Sequence, residues 1–152
     1  MVELLDETSR CPHPELIEGV ITELLQTFGV TQNVTLIICD DAFIHKLNLA
    51  HRNVDKPTDV LSYPLFDPLD EPANASGDAK VPTVEQLGDV FISLDTAQRQ
   101  ASEAGRTLLE ELIYLAAHGV THLRGFDHRT EPEWQTFHRA QKHALELYHA
   151  KS

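Results

Sequence analysis

Three histidines, His118, His122 and His128, stand in the order H-x-x-x-H-x-x-G-x-x-H. Side chains four residues apart on a helix share one face, one turn above the other. The spacing therefore sets the imidazoles of His118 and His122 side by side, close enough to share one metal ion. Gly125 can take a positive φ and end the helix, so the chain can turn and bring His128 back as a third ligand. Three neutral imidazoles with one open position describe a catalytic zinc site, since a structural site is normally closed by a fourth side chain. The chain has nine histidines, so a pair at helical spacing arises readily by chance, but a third placed after a glycine bend does not. The reading is one zinc ion per chain on His118, His122 and His128, with the remaining histidines solvated.

The spacing also invites a different chemistry. Metzincin proteases carry H-E-x-x-H-x-x-G-x-x-H, and the glutamate after the first histidine is their general base. Here that position is Gly119. The ligand spacing is kept and the base is missing, which removes much of the support for peptidase chemistry.

Such a site needs a rigid helix beneath it. Thr107 and Glu110 form a capping box that opens a helix carrying Leu108, Leu109, Leu112, Ile113, Leu115, Ala116 and Ala117. A helix apolar almost all round belongs in the middle of a domain. Around it, Val2–Leu5, Val34–Cys39, Thr58–Leu65 and Gln86–Ser93 read as strands. Helices are expected from Glu15 to Phe28, from Asp40 or Asp41 to about His51, from Leu94 to Ala104, and from the second capping box at Thr130 and Glu133 to about Tyr148. The second of these should bury Phe43, Ile44, Leu47 and Leu49, and the last should pack through Trp134, Phe137, Leu145 and Leu147. Phe66 to Val84, with Asp67, Asp70, Glu71 and Asp78, reads as an exposed acidic loop whose spacing fits no EF-hand. The fold expected is α+β, a single domain over 1–152. A small mixed β-sheet of about four strands packs around the central metal-binding helix, with peripheral helices.

The bulk numbers agree with one soluble domain: 152 residues, 41% hydrophobic and 24% charged. No apolar run is long enough to span a bilayer, and the acidic N-terminus lacks a signal-peptide layout, so a cytoplasmic location is expected. Cys11 and Cys39 form no C-x-x-C pair and read as free thiols. The formal charge of -12 opposes broad association with nucleic acid. Contact with RNA would have to be local, and Arg52, Lys56, Arg124 and Arg129 are the basic residues available for it.

Two further stretches are long enough to be signatures. One is Leu47-Asn48, then Arg52, then Lys56-Pro57-Thr58-Asp59-Val60-Leu61-Ser62-Tyr63-Pro64; the other is Leu87-Gly88-Asp89-Val90-Phe91-Ile92-Ser93. Together with His118 to His128 they resemble the YbeY family of bacterial endoribonucleases, from about Leu36 to Leu147. The resemblance implies a zinc-dependent hydrolase of single-stranded RNA that acts in 3′-end maturation of small-subunit ribosomal RNA and in ribosome quality control. Its partners would be ribosomal RNA and the ribosome or ribosomal proteins. The family's metal histidines fall on His118, His122 and His128, and its functionally important arginine falls on Arg52. A planar guanidinium suits the charge that builds on phosphate oxygens during cleavage. Asp127 beside His128 either orients a ligand, takes a proton, or caps the turn after Gly125. Glu111, two turns before His118, reads as a salt-bridge partner, and Asp59 as a hydrogen-bonding residue at a strand start. Thr121 and Phe137 depart from the family's usual leucine and methionine; Thr121 should face away from the metal. Two other functions share parts of this pattern: a zinc metallopeptidase, and a metal-stabilised module that binds the ribosome without catalysis.

Overall fold

The computed structural model describes residues 1–65 and 86–151. Val2–Asp6 forms β1, Pro14–Thr27 α1, Asn33–Cys39 β2, Asp41–Arg52 α2 and Val60–Pro64 β3. Gln86–Ser93 forms β4, Leu94–Ala104 α3, Leu108–Leu123 α4 and Glu131–Lys151 α5. The acidic loop expected from Phe66 to Val84 lies outside the described residues. No helix among the described residues is long and apolar enough to cross a membrane.

The four strands make one mixed sheet in the order β1-β2-β4-β3. β1, β2 and β4 run parallel, and β3 pairs antiparallel with β4 along one edge. Because strand side chains alternate between faces, Val34, Leu36, Ile38, Val90 and Ile92 enter the large core against α1, α4 and α5. Cys39 and Leu61 join a smaller cluster on Ile44 of α2, with Phe91 packed against it. The domain is thus a sheet with α4 lying across one face, as the apolar circumference of that helix requires.

The helix termini follow local chemistry. Asp40 caps α2 by accepting from the Phe43 amide, Ser93 caps α3 by accepting from the Thr96 amide, and Thr107 and Glu110 close a full capping box on α4. At the start of α5 the Thr130 hydroxyl accepts from the Glu133 amide and donates to the Glu133 carboxylate. The Asp41 carboxylate accepts from the hydroxyls of Ser93 at 2.6 Å and Thr96 at 2.7 Å and pairs with Arg99 at 2.9 Å. These bonds tie the start of α2 to α3 and fix the axis along which α2 delivers Arg52.

Three sequence expectations need correction. Phe43 and Leu49 are each 46% exposed, because α2 covers only a small patch of sheet; Ile44 and Asn48 are its buried residues. The strand expected over Thr58–Leu65 is shorter, at Val60–Pro64, with one further backbone bond at each end, from the Ser93 amide to the Asp59 carbonyl at 2.9 Å and from the Leu65 amide to the Leu87 carbonyl at 3.1 Å. Helix α2, expected to end at about His51, runs one residue further, so that Arg52 is its last residue.

Gly119 is a point of close approach between α4 and the sheet. A Cβ there would lie 2.4 Å from one γ-methyl of Val90 and 3.2 Å from the Ser62 hydroxyl. That hydroxyl donates to the Gly119 carbonyl at 2.9 Å, pinning β3 to α4. Gly119→Ala is therefore expected to destabilise the domain by about 1–3 kcal/mol, the range of core overpacking. Chemical denaturation reads this directly, and an unchanged midpoint would refute the close approach.

Candidate metal centre

Helix α4 presents His118 and His122 one turn apart, with ring centroids 4.9 Å from each other. It ends in a Schellman turn: the Gly125 amide donates to the His122 carbonyl at 2.9 Å and the Phe126 amide to the Thr121 carbonyl at 3.4 Å. Gly125 supplies the left-handed residue, at φ 95°. Beyond it His128 returns to lie 5.5 Å from His118 and 5.1 Å from His122, centroid to centroid. One ligand nitrogen from each imidazole lies within 4.8 Å of the other two, so the group can hold a metal ion.

The donor chemistry fits. Burial, and then the neighbouring His122, push the His118 imidazole down to about 4, and burial also lowers His122. Both rings are thus neutral, the form that binds metals, at any pH near neutrality. The Nδ1 of His122 is 3.2 Å from the Phe126 carbonyl oxygen. A carbonyl only accepts, so Nδ1 carries the proton and Nε2 keeps its lone pair for the ion. A backbone carbonyl that fixes the tautomer in this way is a recurrent support of metal-binding histidines.

Two aromatic residues of α5 complete the floor. The Phe137 ring, fully buried, lies 4.7 Å from both His118 and His122 and 5.3 Å from His128. Trp134 stacks on His128 at 4.3 Å with 19° between the planes. Read from the sequence, both serve packing alone. Their i, i+3 spacing just after the third histidine is the only sequence signal for more, and it needs the direction of the turn between the helices to be read.

Arg52 and Asp127 line the same cleft of about 640 Å³ as the three histidines. Arg52 is exposed at the C-terminal end of α2, where its charge suits the helix dipole, and the left-handed Asn53 (φ 58°) caps that end. Its positive charge reaches His122, whose imidazolium it disfavours. Among the described residues no carboxylate is in ion-pair range of Arg52, which leaves the guanidinium available. Asp127 accepts from the His128 backbone amide at 2.8 Å and pairs with Arg129 at 2.9 Å. The amide bond above all holds its carboxyl below the usual range, so near neutral pH it is an anion that shapes the turn.

Of the other residues singled out in the sequence, Asp59 lies on the wall of this cleft, and Arg124, Glu111 and Thr121 do not line it. Arg124 is sandwiched between Phe28 and Phe126, its guanidinium carbon 3.8 Å and 5.0 Å from their ring centroids. Glu111 pairs with Arg106 at 2.9 Å. Asp59 accepts from Val60 and Gln100. Thr121 is buried, with its hydroxyl donating to the Ala117 carbonyl at 2.8 Å. Tyr63, on the cleft wall, has a buried hydroxyl with no partner among the described residues, and its ring meets His51 at 5.1 Å.

Metal-free protein is expected to stay folded at neutral pH, because the core of α1, α4, α5 and the sheet is continuous without the histidines. Its stability should fall as the pH drops from about 6.5 towards about 4: the unfolded chain then binds a proton that folded His118 refuses. Circular-dichroism melts of chelator-treated protein across that window test both statements. A disordered chain at neutral pH would make the metal structural.

The family model described as Endoribonuclease YbeY matches residues 6–149. A Pelotomaculum thermopropionicum protein named Endoribonuclease YbeY is 42% identical over 137 residues, covering 86% of this chain and 86% of its own. A protein of the same name from Thermus thermophilus is 41% identical over 132 residues, covering 86% of this chain and 88% of its own. One from Bacillus licheniformis is 37% identical over 154 residues, covering 97% and 94%. The solution structure of TM1509 from Thermotoga maritima matches with a TM-score of 0.64 over 99% of this chain and 93% of its own, at 21% identity. That likeness concerns the fold alone.

Proposed function

The chain belongs to the Endoribonuclease YbeY family, and from that membership we propose that it is a zinc-dependent endoribonuclease that hydrolyses phosphodiester bonds in single-stranded RNA. The observation that carries the reading is the sharing of one cleft by the three-histidine group and an arginine with no carboxylate partner among the described residues. His118, His122 and His128 would hold the ion. When bound, zinc supplies Lewis acidity and water acidified to a pKa of about 7. The protein supplies the rest. Arg52 offers its planar fork to the phosphate oxygens on which charge accumulates. Asp127 holds the turn that carries His128 and, being ionised, acts as an acceptor and not as an acid. Phe137 and Trp134 keep the imidazole rings in place and exclude water from behind them.

The substrate proposed is ribosomal RNA, in 3′-end maturation of the small-subunit species and in ribosome quality control, with the ribosome or ribosomal proteins as partners in the cytoplasm. The support is the three ordered signatures, of which Arg52 and the histidines are parts. With a net charge of -12, binding rests on the cleft and not on a broad basic face. The peptidase alternative is weakened further by packing. The position that would bear its glutamate faces Val90 and Ser62, which a side chain there would have to displace.

Cleavage of a labelled single-stranded RNA by the purified protein, with and without chelator, beside a casein digestion, is the test. Chelator-sensitive RNA cleavage with intact casein is expected. Casein digestion, or RNA binding without any cleavage, would overturn the assignment.

A further inference from the structure

We propose that the cavity between α3, α4 and α5 beside His118 is a subsite for a nucleobase of the substrate strand, with guanine preferred. The proposal deepens the RNA reading above and rests on it. The cavity measures about 400 Å³ and shares His118 and Asp59 with the metal cleft. Small-molecule sites run from about 300 to 1,000 Å³. A strand with a phosphate at the metal can therefore place a neighbouring base here without leaving the protein surface.

The wall chemistry selects the ligand. Trp134 lies on the wall, stacked on His128 and still 38% exposed. Flat aromatic surface beside a nuclease site is what unpaired bases stack on. Glu111 is 2% exposed and neutralised by Arg106, which also lies over the Tyr114 ring at 4.1 Å. Asp59 and Glu103 add further negative charge. That charge turns phosphate away, towards the Arg52 side, and leaves this cavity for the uncharged part of the nucleotide. Among the described residues the carboxylates form no metal-binding group of their own.

Hydrogen bonding narrows the choice of base. Gln100 donates its Nε2 to Asp59 at 3.3 Å, and Gln141, 4% exposed, donates its Nε2 to the Tyr114 carbonyl at 3.3 Å. Each amide keeps its carbonyl oxygen and one N–H, and the carboxylates of Asp59, Glu103 and Glu111 add acceptors to the same wall. Acceptors therefore predominate, with Arg106 as the charged donor among them. Guanine presents N1–H and the N2 amino group side by side, with O6 next to them. Its two donors match the acceptors and its O6 matches Arg106. Uracil has one donor flanked by two carbonyls, which would set an oxygen against the carboxylates.

Trp134 is the chain's single tryptophan, so its fluorescence reads stacking at this site. The zinc-loaded full-length protein is titrated with the four nucleoside 5′-monophosphates, which share a phosphate and differ only in the base. Guanosine monophosphate is expected to quench at concentrations roughly tenfold below uridine monophosphate, as one well-made set of base contacts would give. Glu103→Gln, at an exposed position, is expected to shrink that ratio several-fold. Trp134→Leu should raise KM for single-stranded RNA roughly ten- to a hundredfold, and Trp134→Phe should recover most of it; because Trp134 also stacks on His128, the variants are compared at matched zinc content. Equal quenching by all four nucleotides, or no quenching, overturns the base site and leaves the ribonuclease reading standing. Selective quenching by guanosine monophosphate in a protein that cleaves no RNA overturns the reaction and leaves the base site.

Discussion

Replacing His118 and His122 together by alanine is expected to remove the metal and to reduce RNA cleavage by more than about a thousandfold, to background. Both residues project from one face of α4 towards His128. A single remaining imidazole cannot hold an ion that needs three protein ligands and an open position. The fold should survive, because α4 is anchored by Leu112, Ile113, Ala116, Ala117 and Val120, all fully buried, and not by the histidines. Some stability is lost where the two rings pack on Phe137 at 4.7 Å. The measurement is metal content per chain alongside single-turnover cleavage. Full metal occupancy in the double variant would show that the ion sits elsewhere.

Arg52→Ala is the second large effect, and it separates phosphoryl chemistry from metal binding. A guanidinium aimed at charge that develops in the transition state contributes more to kcat than to binding. Losing a comparable donor costs about a hundred- to a thousandfold in rate. Arg52→Lys should recover only part, since an ammonium lacks the planar fork. Zinc content and melting temperature should stay near wild type. Arg52 is exposed at a helix end, and α2 is held by Asp41, Ile44 and Asn48, whose amide donates to the Lys56 carbonyl at 2.9 Å. Single-turnover cleavage at matched metal content decides the point. If Arg52→Ala cleaves at the wild-type rate, the active site contracts to the histidines.

What could be read from sequence, and what could not, divides along a physical line. Helix α4, its capping box and the glycine turn are written in short-range terms: periodicity, a cap three residues from its partner, a residue free to take positive φ. So are strands such as Gln86–Ser93. The reason for Gly119 is not local. The missing glutamate is visible in the chain, but the methyl of Val90 that crowds a side chain there is visible only once β4 lies under α4. The same holds for α2. Its periodicity marks Phe43 and Leu49 as core, yet the sheet beneath it is too narrow to cover them, and the polar Asn48 is buried in their place. Trp134 and Phe137 have the composition of packing residues. Their contact with the ligand histidines depends on how the chain turns between α4 and α5, which no periodicity encodes.

All three proposed ligands fall between positions 118 and 128, on one helical turn and the bend after it, whereas Arg52 comes from a different helix far upstream. A chelating segment this short is expected to keep some affinity for zinc even when the rest of the chain is unfolded. By mass action, a ligand that binds both states stabilises the native one only by the difference between its two affinities. Zinc should therefore raise the melting temperature less than its dissociation constant for the native protein suggests. On the same reasoning, a nascent chain is expected to be able to take up an ion as soon as this segment has been synthesised, before β4 and α4 have found each other.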